Sequence, residues 1–559
     1  MRVMSFRSRL LALLAPLTLL AGVACSASQP PAAAPAGTAD GPVKPKVNRV
    51  VFATEPSRLD TYDVYAMSGP DLWPMRAMYE YLIGVNPDDG KFRPELATAW
   101  KVEPDGKSIR FQLRKDVQFQ KGAGTFTAKD LTPTWQARIR EEIQNSPSIY
   151  WRRVVESIET VNDNEAVYHL KRPDGNFLNS ISEQRGIMEV FSKADFDKNG
   201  LPVAGAKEPL AGTGQYQFQA AAAGSYLRFE RVPFQHWKGA PDFPEFEWRW
   251  MKEASTRMAA LLAGEVHLAN LPQDLLATAE KQSMKVTPGK VLGLRTFMSF
   301  YCCYPNDLND ASKGWMFPDS PLMNPLARQA LSKAIDRAAL NKAFFGGKAT
   351  NMVLNHYLPI RDGWNPDWEK RFQDQYGYDQ AKAKQLLTDA GFTTANPMKT
   401  SIFLVPASGY AGAQDLAEAI AANWKAIGVQ VDLQQIDPAT ISTGSRQFKY
   451  TNNVIINSTS SDQSTGATNY GSTSGIRGSG YEMVPADKLA NDVGNTLDEA
   501  KQTELWRQAG DLWFNNFQAI PLFWLPTEVA VNPKIVAGYT FPGSITGTWT
   551  HLGSIKAAP

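Results

Sequence analysis

The chain has 559 residues, with 58 lysines and arginines against 56 aspartates and glutamates. Hydrophobic residues make up 43% and charged residues 20%, so the chain is long and apolar enough to bury several cores. A formal charge of +2 argues against the clustered basic surface that nucleic-acid binding requires. Three cysteines exclude a disulfide scaffold, and five scattered histidines argue against a metalloenzyme.

The N-terminus has the pattern of a secretory signal. Arginines precede an apolar run at residues 10–24, which is shorter than the about 20 residues that span a bilayer. Small residues then lead to Cys25, as in a bacterial lipobox, where the thiol receives a lipid. We therefore predict a signal peptide at residues 1–24 and lipidation of Cys25. An ordinary signal peptide followed by an incidental cysteine is the alternative.

Residues 25–48 predict a tether. They contain five prolines, many alanines and no hydrophobic periodicity, so they cannot bury apolar surface and should stay extended. No later run approaches 18 uninterrupted apolar residues, which leaves the lipid as the expected anchor. The working part of the protein then begins near Arg49 and acts outside the cytoplasm.

From there the chain alternates between strand and helix patterns. Alternating apolar residues predict early strands, which are 108–113, 166–170, 226–229 and 246–250. Asn324 followed by proline predicts a helix start, and later stripes at helical spacing predict helices at 379–390, 416–427 and about 498–517. A strand follows Gly428. The expected class is α/β or mixed α+β, without an internal repeat.

Residues 457–480 differ from the rest, because 19 of these 24 side chains are Ser, Thr, Asn, Gln or Gly. They predict either a flexible surface loop or a wall of hydrogen-bonding side chains around a polar ligand. Phosphate-loop, dinucleotide-binding, nucleophile-elbow, Ser-x-x-Lys and metal-spacing motifs are all absent from the sequence. The missing motifs favour a protein that is not an enzyme.

Several segments, in order, resemble the peptide/nickel class (family 5) of extracellular solute-binding proteins of ABC importers. The matching segments are 93–100, 104–106, 111–115, 126–130, 212–216, 261–266, 328–337, 383–391, 427–429 and 520–522. The resemblance covers about residues 50–557. It departs from the family pattern at Gln215, where the family has proline, and at His267, where it has aspartate.

The resemblance implies a type II periplasmic-binding-protein fold, with two lobes built from three domains around a ligand cleft. Domain I is expected in three parts, domain II in one, and domain III in one. Their expected bounds are 49–66, 203–290 and 525–559 for domain I, 67–202 for domain II, and 291–524 for domain III.

The resemblance also implies a lipid-anchored, monomeric binding protein in the periplasm or on the outer cell surface. It would pass a small polar solute, a peptide first of all, to an ABC permease and its ATPase subunits, without a cofactor, a metal ion or nucleic acid. An oligosaccharide, an opine or a metal chelate could occupy the same fold. A secreted, lipid-anchored hydrolase and a surface chaperone or sensor are the alternatives from other classes.

Six residues are the expected ligand contacts. The family's acid for a peptide amino group corresponds to Asp462, and Arg361 could pair a ligand carboxylate. The other four are aromatic residues in segments that the family places near the cleft, which are Tyr301, Trp364, Tyr470 and Trp524.

Cys302 and Cys303 are adjacent in a strand-like run. Because neighbouring side chains of a strand point to opposite faces, we expect two buried free thiols. A vicinal disulfide is the alternative in an oxidising compartment.

Overall fold

The computed structural model describes residues from the compact part of the chain, Val43–Pro559. The described residues are 44–56, 61–67, 72–143, 145–201, 206, 208–307, 310–404, 413–436, 440–441, 444, 447–460, 483–543 and 549–559. Among the helices in these ranges, none combines the length and the apolar character that crossing a bilayer requires.

The strands in the described ranges are β1 (Arg49–Thr54), β2 (Ile83–Val85), β3 (Phe92–Pro94), β4 (Ala97–Val102), β5 (Ser108–Leu113), β6 (Val155–Asn162), β7 (Glu165–Leu170), β8 (Tyr216–Ala222), β9 (Tyr226–Arg231), β10 (Glu245–Trp250), β11 (Leu268–Ala269), β12 (Lys285–Pro288), β13 (Leu294–Tyr301), β14 (Thr350–Asn351), β15 (Lys399–Leu404), β16 (Gln430–Gln435), β17 (Asn453–Ser460), β18 (Ala519–Leu525), β19 (Glu528–Val531), β20 (Val536–Gly538) and β21 (Lys556–Ala557).

The helices in the same ranges are α1 (Leu131–Arg138), α2 (Ser146–Val154), α3 (Phe177–Ser180), α4 (Lys193–Asn199), α5 (Ala254–Ala263), α6 (Gln273–Lys281), α7 (Pro325–Lys333), α8 (Arg337–Phe345), α9 (Pro366–Tyr376), α10 (Gln380–Asp389), α11 (Ala413–Ala426), α12 (Val484–Gly494) and α13 (Glu499–Asn515).

A seven-stranded sheet collects strands from the start, the middle and the end of the chain, in the order β12-β19-β11-β1-β10-β9-β8. Its central strand β1 is buried from Val50 to Thr54, as expected of a parallel strand that is covered on both faces. An aromatic core lies against it, in which the ring of Phe52 lies 4.9 Å from that of Trp248 and 5.1 Å from that of Trp549.

A four-stranded antiparallel sheet, in the order β4-β5-β7-β6, forms a second unit with its own core. In β5 the buried residues Ile109, Phe111 and Leu113 alternate with more exposed ones, as the sequence pattern predicts. Trp151 of α2 is fully buried and packs edge-on against Tyr168 of β7. This core holds α2 on one face of the sheet.

A six-stranded mixed sheet, in the order β14-β18-β13-β17-β15-β16, forms the third unit. Helices α7, α8, α10 and α11 supply apolar side chains to the core on one of its faces. Asn324 accepts a hydrogen bond from Leu326 N at 2.9 Å and caps α7, while Asp379 caps α10 through Lys382 N at 2.8 Å. Both helix starts are as predicted. The polar segment predicted at residues 457–480 begins inside β17, which continues to Ser460.

A second helical layer extends from the same unit. Trp368 of α9 is fully buried against α13, where its indole N–H donates to Asp511 at 2.7 Å. The guanidinium of Arg328, on α7, donates to the carbonyl oxygen of Asn516 at 2.8 Å. The first bond joins α9 to α13, and the second fastens the end of α13 to α7. The three larger sheets and their helices therefore form an α/β protein in which each of these sheets has a core of its own.

Candidate functional site

Two crossover segments join the seven-stranded and six-stranded sheets. Residues 289–293 lead from β12 to β13, and residues 526–527 lead from β18 to β19. In one sheet β1, β10, β11 and β12 are parallel to one another, and in the other β15, β16 and β17 are parallel. From the strand directions, both crossovers connect the edges at which these parallel strands have their carboxyl ends. Ligands of open α/β sheets bind in the crevice outside such ends.

The crossovers are bonded to each other and to a third segment near the C-terminus. Gly289 N donates to Thr527 O at 2.7 Å, and Val291 N donates to Pro542 O at 2.7 Å. A Cβ atom on Gly289 would lie 2.7 Å from the Cα of Gly543, so only a residue without a side chain allows this approach. Two short connections with close backbone packing are suited to act as a hinge.

A buried polar cluster lies at the carboxyl edge of the six-stranded sheet. Arg295, near the start of β13, donates to Asn355 Oδ1 at 2.5 Å and lies 2.7 Å from His356 Nε2. His356 has a φ of +73°, which is rare for a residue with a side chain. Trp524 of β18 is the register partner of Arg295 and is itself buried. The cluster places a fixed cation and an aromatic side chain beside the crossovers.

The facing edge of the seven-stranded sheet carries charges as well. Glu55 follows β1, is exposed, and lies 3.4 Å from the guanidinium of Arg257. Glu528 begins β19, and burial raises the pKa of its carboxyl group although Lys348 opposes this. Lys348 precedes β14 and lies 3.4 Å from Glu280 and 3.9 Å from Glu528. The two contacts of Lys348 join the six-stranded unit to the seven-stranded unit, whereas the pair of Glu55 and Arg257 lies within the seven-stranded unit.

A cavity of about 560 Å³ lies where the four-stranded unit meets the helices of the six-stranded unit. This volume is within the range of small-molecule sites. Three aromatic side chains, four amides and charges of both signs line it, so it suits a solute with apolar parts and no large net charge. The residues that carry these features are Phe92, Trp100 and Trp506; Asn176, Asn179, Gln184 and Gln502; and Asp89, Lys91, Arg361, Asp362 and Glu499.

The structure brings only some of the predicted ligand contacts together. Arg361 lines the cavity, and Trp364 follows it, with its ring 5.6 Å from Trp368. Trp524 lies at the carboxyl edge of its sheet. Tyr301 is at the other end of β13 from the crossover, about 23 Å away at the usual rise per residue, and is buried.

Three further predictions concern residues outside the described ranges. They are the ligand contacts Asp462 and Tyr470 and the lipidated Cys25.

The prediction that Cys302 and Cys303 are free thiols is wrong. Cys302 and Cys303 are joined in a vicinal disulfide, and both are fully buried. They follow directly after β13, so the alternation that separates neighbouring side chains no longer applies. Both sulfur atoms lie 3.7 Å from the carbonyl oxygen of Leu322.

Sequence reasoning missed the Arg295 cluster and most of the cavity. Arg295 had a detectable signal, because it is the lone charge in an apolar strand. The amides Asn176, Asn179 and Gln184 had none, since amides in a turn are common on any surface. Their role depends on a tertiary contact that no local pattern reveals.

Comparison with known proteins agrees with this architecture. Residues 91–478 match the model for "Bacterial extracellular solute-binding proteins, family 5 Middle". Heme-binding protein A of Haemophilus influenzae is 26% identical over 500 residues, which cover 83% of this chain and 84% of that protein. The dipeptide-binding protein of Escherichia coli is 24% identical over 446 residues, covering 74% and 78% respectively.

Among solved structures, HbpA2 from Haemophilus parasuis superposes with a TM-score of 0.74 at 21% identity. The match covers 92% of this chain and all of that one. At this identity the likeness establishes the fold, which is a type II periplasmic-binding-protein fold with two lobes.

Proposed function

The chain belongs to family 5 of the bacterial extracellular solute-binding proteins, and from this premise we propose that it captures a peptide or a similar small polar solute between its lobes. Proteins of this family are extracytoplasmic, bind peptides and related ligands for ABC transporters, and are not enzymes. Binding between the lobes is supported by the two crossovers, which both join the carboxyl edges of parallel strands. A solute held there contacts both lobes at once.

The two crossovers allow the protein to capture a solute by closing its lobes around it. Because the crossovers are short, the lobes can rotate about them without losing the bonds inside either sheet. A solute that contacts both lobes binds the closed form better than the open form and therefore shifts the population towards closure. Release to a permease requires the reverse movement.

The charged side chains between the lobes can bind both ends of a peptide. Arg361 in the cavity and Arg295 at the strand edge can each face a carboxylate, while Glu55 can face an ammonium group. The aromatic walls, Trp100 and Trp506, accommodate apolar side chains. The relatives' names include a heme-binding and a dipeptide-binding protein, so both solute classes belong in the test.

Solute binding is tested by titrating the protein with peptide libraries and with heme. Tryptophan fluorescence and small-angle scattering monitor the titration. We expect one saturable site for peptides and a smaller radius of gyration. Arg361→Ala should lose about 1–3 kcal/mol of binding free energy, the usual loss for a polar contact. Arg507→Ala, a partly exposed control on α13, should bind as the wild type does. Cleavage of the peptide would contradict the proposal.

We further propose that Cys25 anchors the protein to the membrane, and that residues 25–48 let it reach a permease and its ATPase subunits as a monomer. The basic and apolar pattern before Cys25 supports this. Cys25→Ala should release the protein into the soluble fraction or leave residues 1–24 attached. Unchanged membrane retention would refute the anchor, and an ATPase assay with the reconstituted permease tests delivery.

A further inference from the structure

Two turns from different units contact each other through backbone atoms. Gly175, in the turn between β7 and α3, donates its N–H to Gly494 O, at the end of α12, at 2.9 Å. Gln502 of α13 returns a bond from Nε2 to Gly175 O at 3.3 Å. Arg172 donates to Asn495 Oδ1 at 3.3 Å. We call these three bonds the latch, since they join the four-stranded unit directly to the helices of the six-stranded unit.

The latch leaves no room for a side chain on Gly175. A Cβ atom there would lie 2.3 Å from Gln502 Nε2, 2.4 Å from Val493 O and 2.7 Å from Thr496 O. All three atoms belong to the opposite unit. Gly175 is not among the residues with positive φ, so its own turn would accept alanine without strain. The three nearest obstructing atoms therefore all belong to the other unit.

Gly494 is the matched partner. It also lacks a positive φ, and a Cβ atom built on it meets no atom within 4 Å. Alanine at this position keeps the carbonyl oxygen that accepts the bond from Gly175. The two glycines of one hydrogen bond thus differ in whether a methyl group fits.

The latch also forms a wall of the cavity. Gly175 and Asn179 line the cavity from one unit, and Gln502 and Trp506 line it from the other. Leu497, in the turn between α12 and α13, packs against the core of the four-stranded unit. If the latch opened, this wall would separate and the cavity would be exposed to solvent.

We propose that Gly175 is a positioning residue for solute capture, because its backbone locks the two units in the closed arrangement. The inference rests on the proposed function in one respect only, namely that closure retains a solute. It adds that the closed state depends on a backbone contact far along the chain from the hinge. A methyl group on Gly175 should prevent closure and leave both units folded.

The experiment measures the distance between spin labels on the two units. The labels are attached at Val161→Cys in β6 and Tyr378→Cys after α9. The native residues at these positions are 41% and 44% exposed. Distance distributions are recorded with and without a tripeptide library for the wild type, Gly175→Ala and Gly494→Ala. We expect a short-distance component in the wild type and Gly494→Ala, and its loss in Gly175→Ala, with at least tenfold weaker tripeptide binding.

Unchanged thermal unfolding of Gly175→Ala would show that the variant folds. Should it unfold, Leu497→Ala, which removes packing against the core of the four-stranded unit, is expected to reduce the short component in its place. A short component that persists in the variant, or is absent from the wild type in both conditions, overturns the proposal. If the latch variants behave as expected but no tripeptide binds, the latch stands and the peptide assignment fails.

Discussion

Replacing Lys238 with methionine should destabilise the protein, because this lysine is the shared cation of two buried carboxylates. Its Nζ lies 2.8 Å from Glu80 Oε1 and also contacts Glu95. The side chains of Glu80 and Glu95 are 3% and 2% exposed, and that of Lys238 is 24% exposed. Breaking a buried ion pair costs about 3–5 kcal/mol, and the partial exposure of Lys238 reduces this to about 2–4 kcal/mol.

The loss should depend on pH. Burial opposes ionisation of Glu80, but Lys238 and His236 outweigh it and lower the pKa of Glu80 to about 2. Burial, with Glu183 and Glu80 nearby, raises the pKa of Glu95 to about 7 despite Lys238. Without the lysine both pKa values rise. The folded variant then holds protons that the unfolded chain releases above its carboxyl pKa of about 4.3, so its stability falls as pH rises.

The assay is thermal unfolding of Lys238→Met at pH 5 and pH 8. For a folding unit of 150–250 residues each kcal/mol shifts the midpoint by about 2–4 °C, so the loss at pH 8 should be about 4–16 °C and clearly smaller at pH 5. Lys129→Met, which removes an exposed pair with Asp163, is the control and should show no change. An equal loss at both pH values would show that Lys238 does not control the ionisation of Glu80 and Glu95.

Three other outcomes are expected. Thiol titration of the denatured, unreduced chain should detect neither Cys302 nor Cys303, whereas two reactive thiols would contradict their bridge. Gly289→Ala should weaken solute binding, since its methyl group meets the backbone of the third hinge segment, whereas Gly538→Ala, with open space around it, should not. Arg361→Ala should weaken peptide binding most for peptides with a free terminal carboxylate, which competition with amidated peptides measures.

Local sequence patterns predicted the secondary structure well where a strand or a helix start depends only on neighbouring residues. The strand at Ser108–Leu113 and the helix start at Asn324 appear as predicted, because alternation and capping are local effects. The helix predicted at about 498–517 is observed at Glu499–Asn515, with Asp498 as its cap. The family resemblance, rather than any pattern, supplied the two-lobed fold.

The burial of charged side chains could not be predicted from the sequence. Glu247 alternates with aromatic residues in β10 and would be expected on an exposed face, yet its side chain is fully buried. It accepts bonds from Arg228 Nε and Arg249 Nε, each at 2.7 Å. These arginines satisfy the carboxylate across and along the sheet. Pairing of this kind depends on register, which periodicity does not reveal.

The candidate site was predictable only in part, for a related reason. Arg361 was predicted as a ligand contact from its aromatic neighbours, and it lines the cavity, although its contact with a ligand stays a prediction. Gly175 and Gln502 are 327 positions apart in the chain and meet only in the folded protein. Contacts between units arise from packing at the junction, so they carry no local signature.

We propose that the protein holds one small solute between its lobes and does not alter it. The most direct test is native mass spectrometry of protein purified gently from its source, followed by denaturation and identification of what is released. We expect one peptide or peptide-like molecule per chain, which is bound again unchanged when returned to the emptied protein. Release of a reaction product, or binding of the solute by a separated lobe as tightly as by the whole chain, would contradict it.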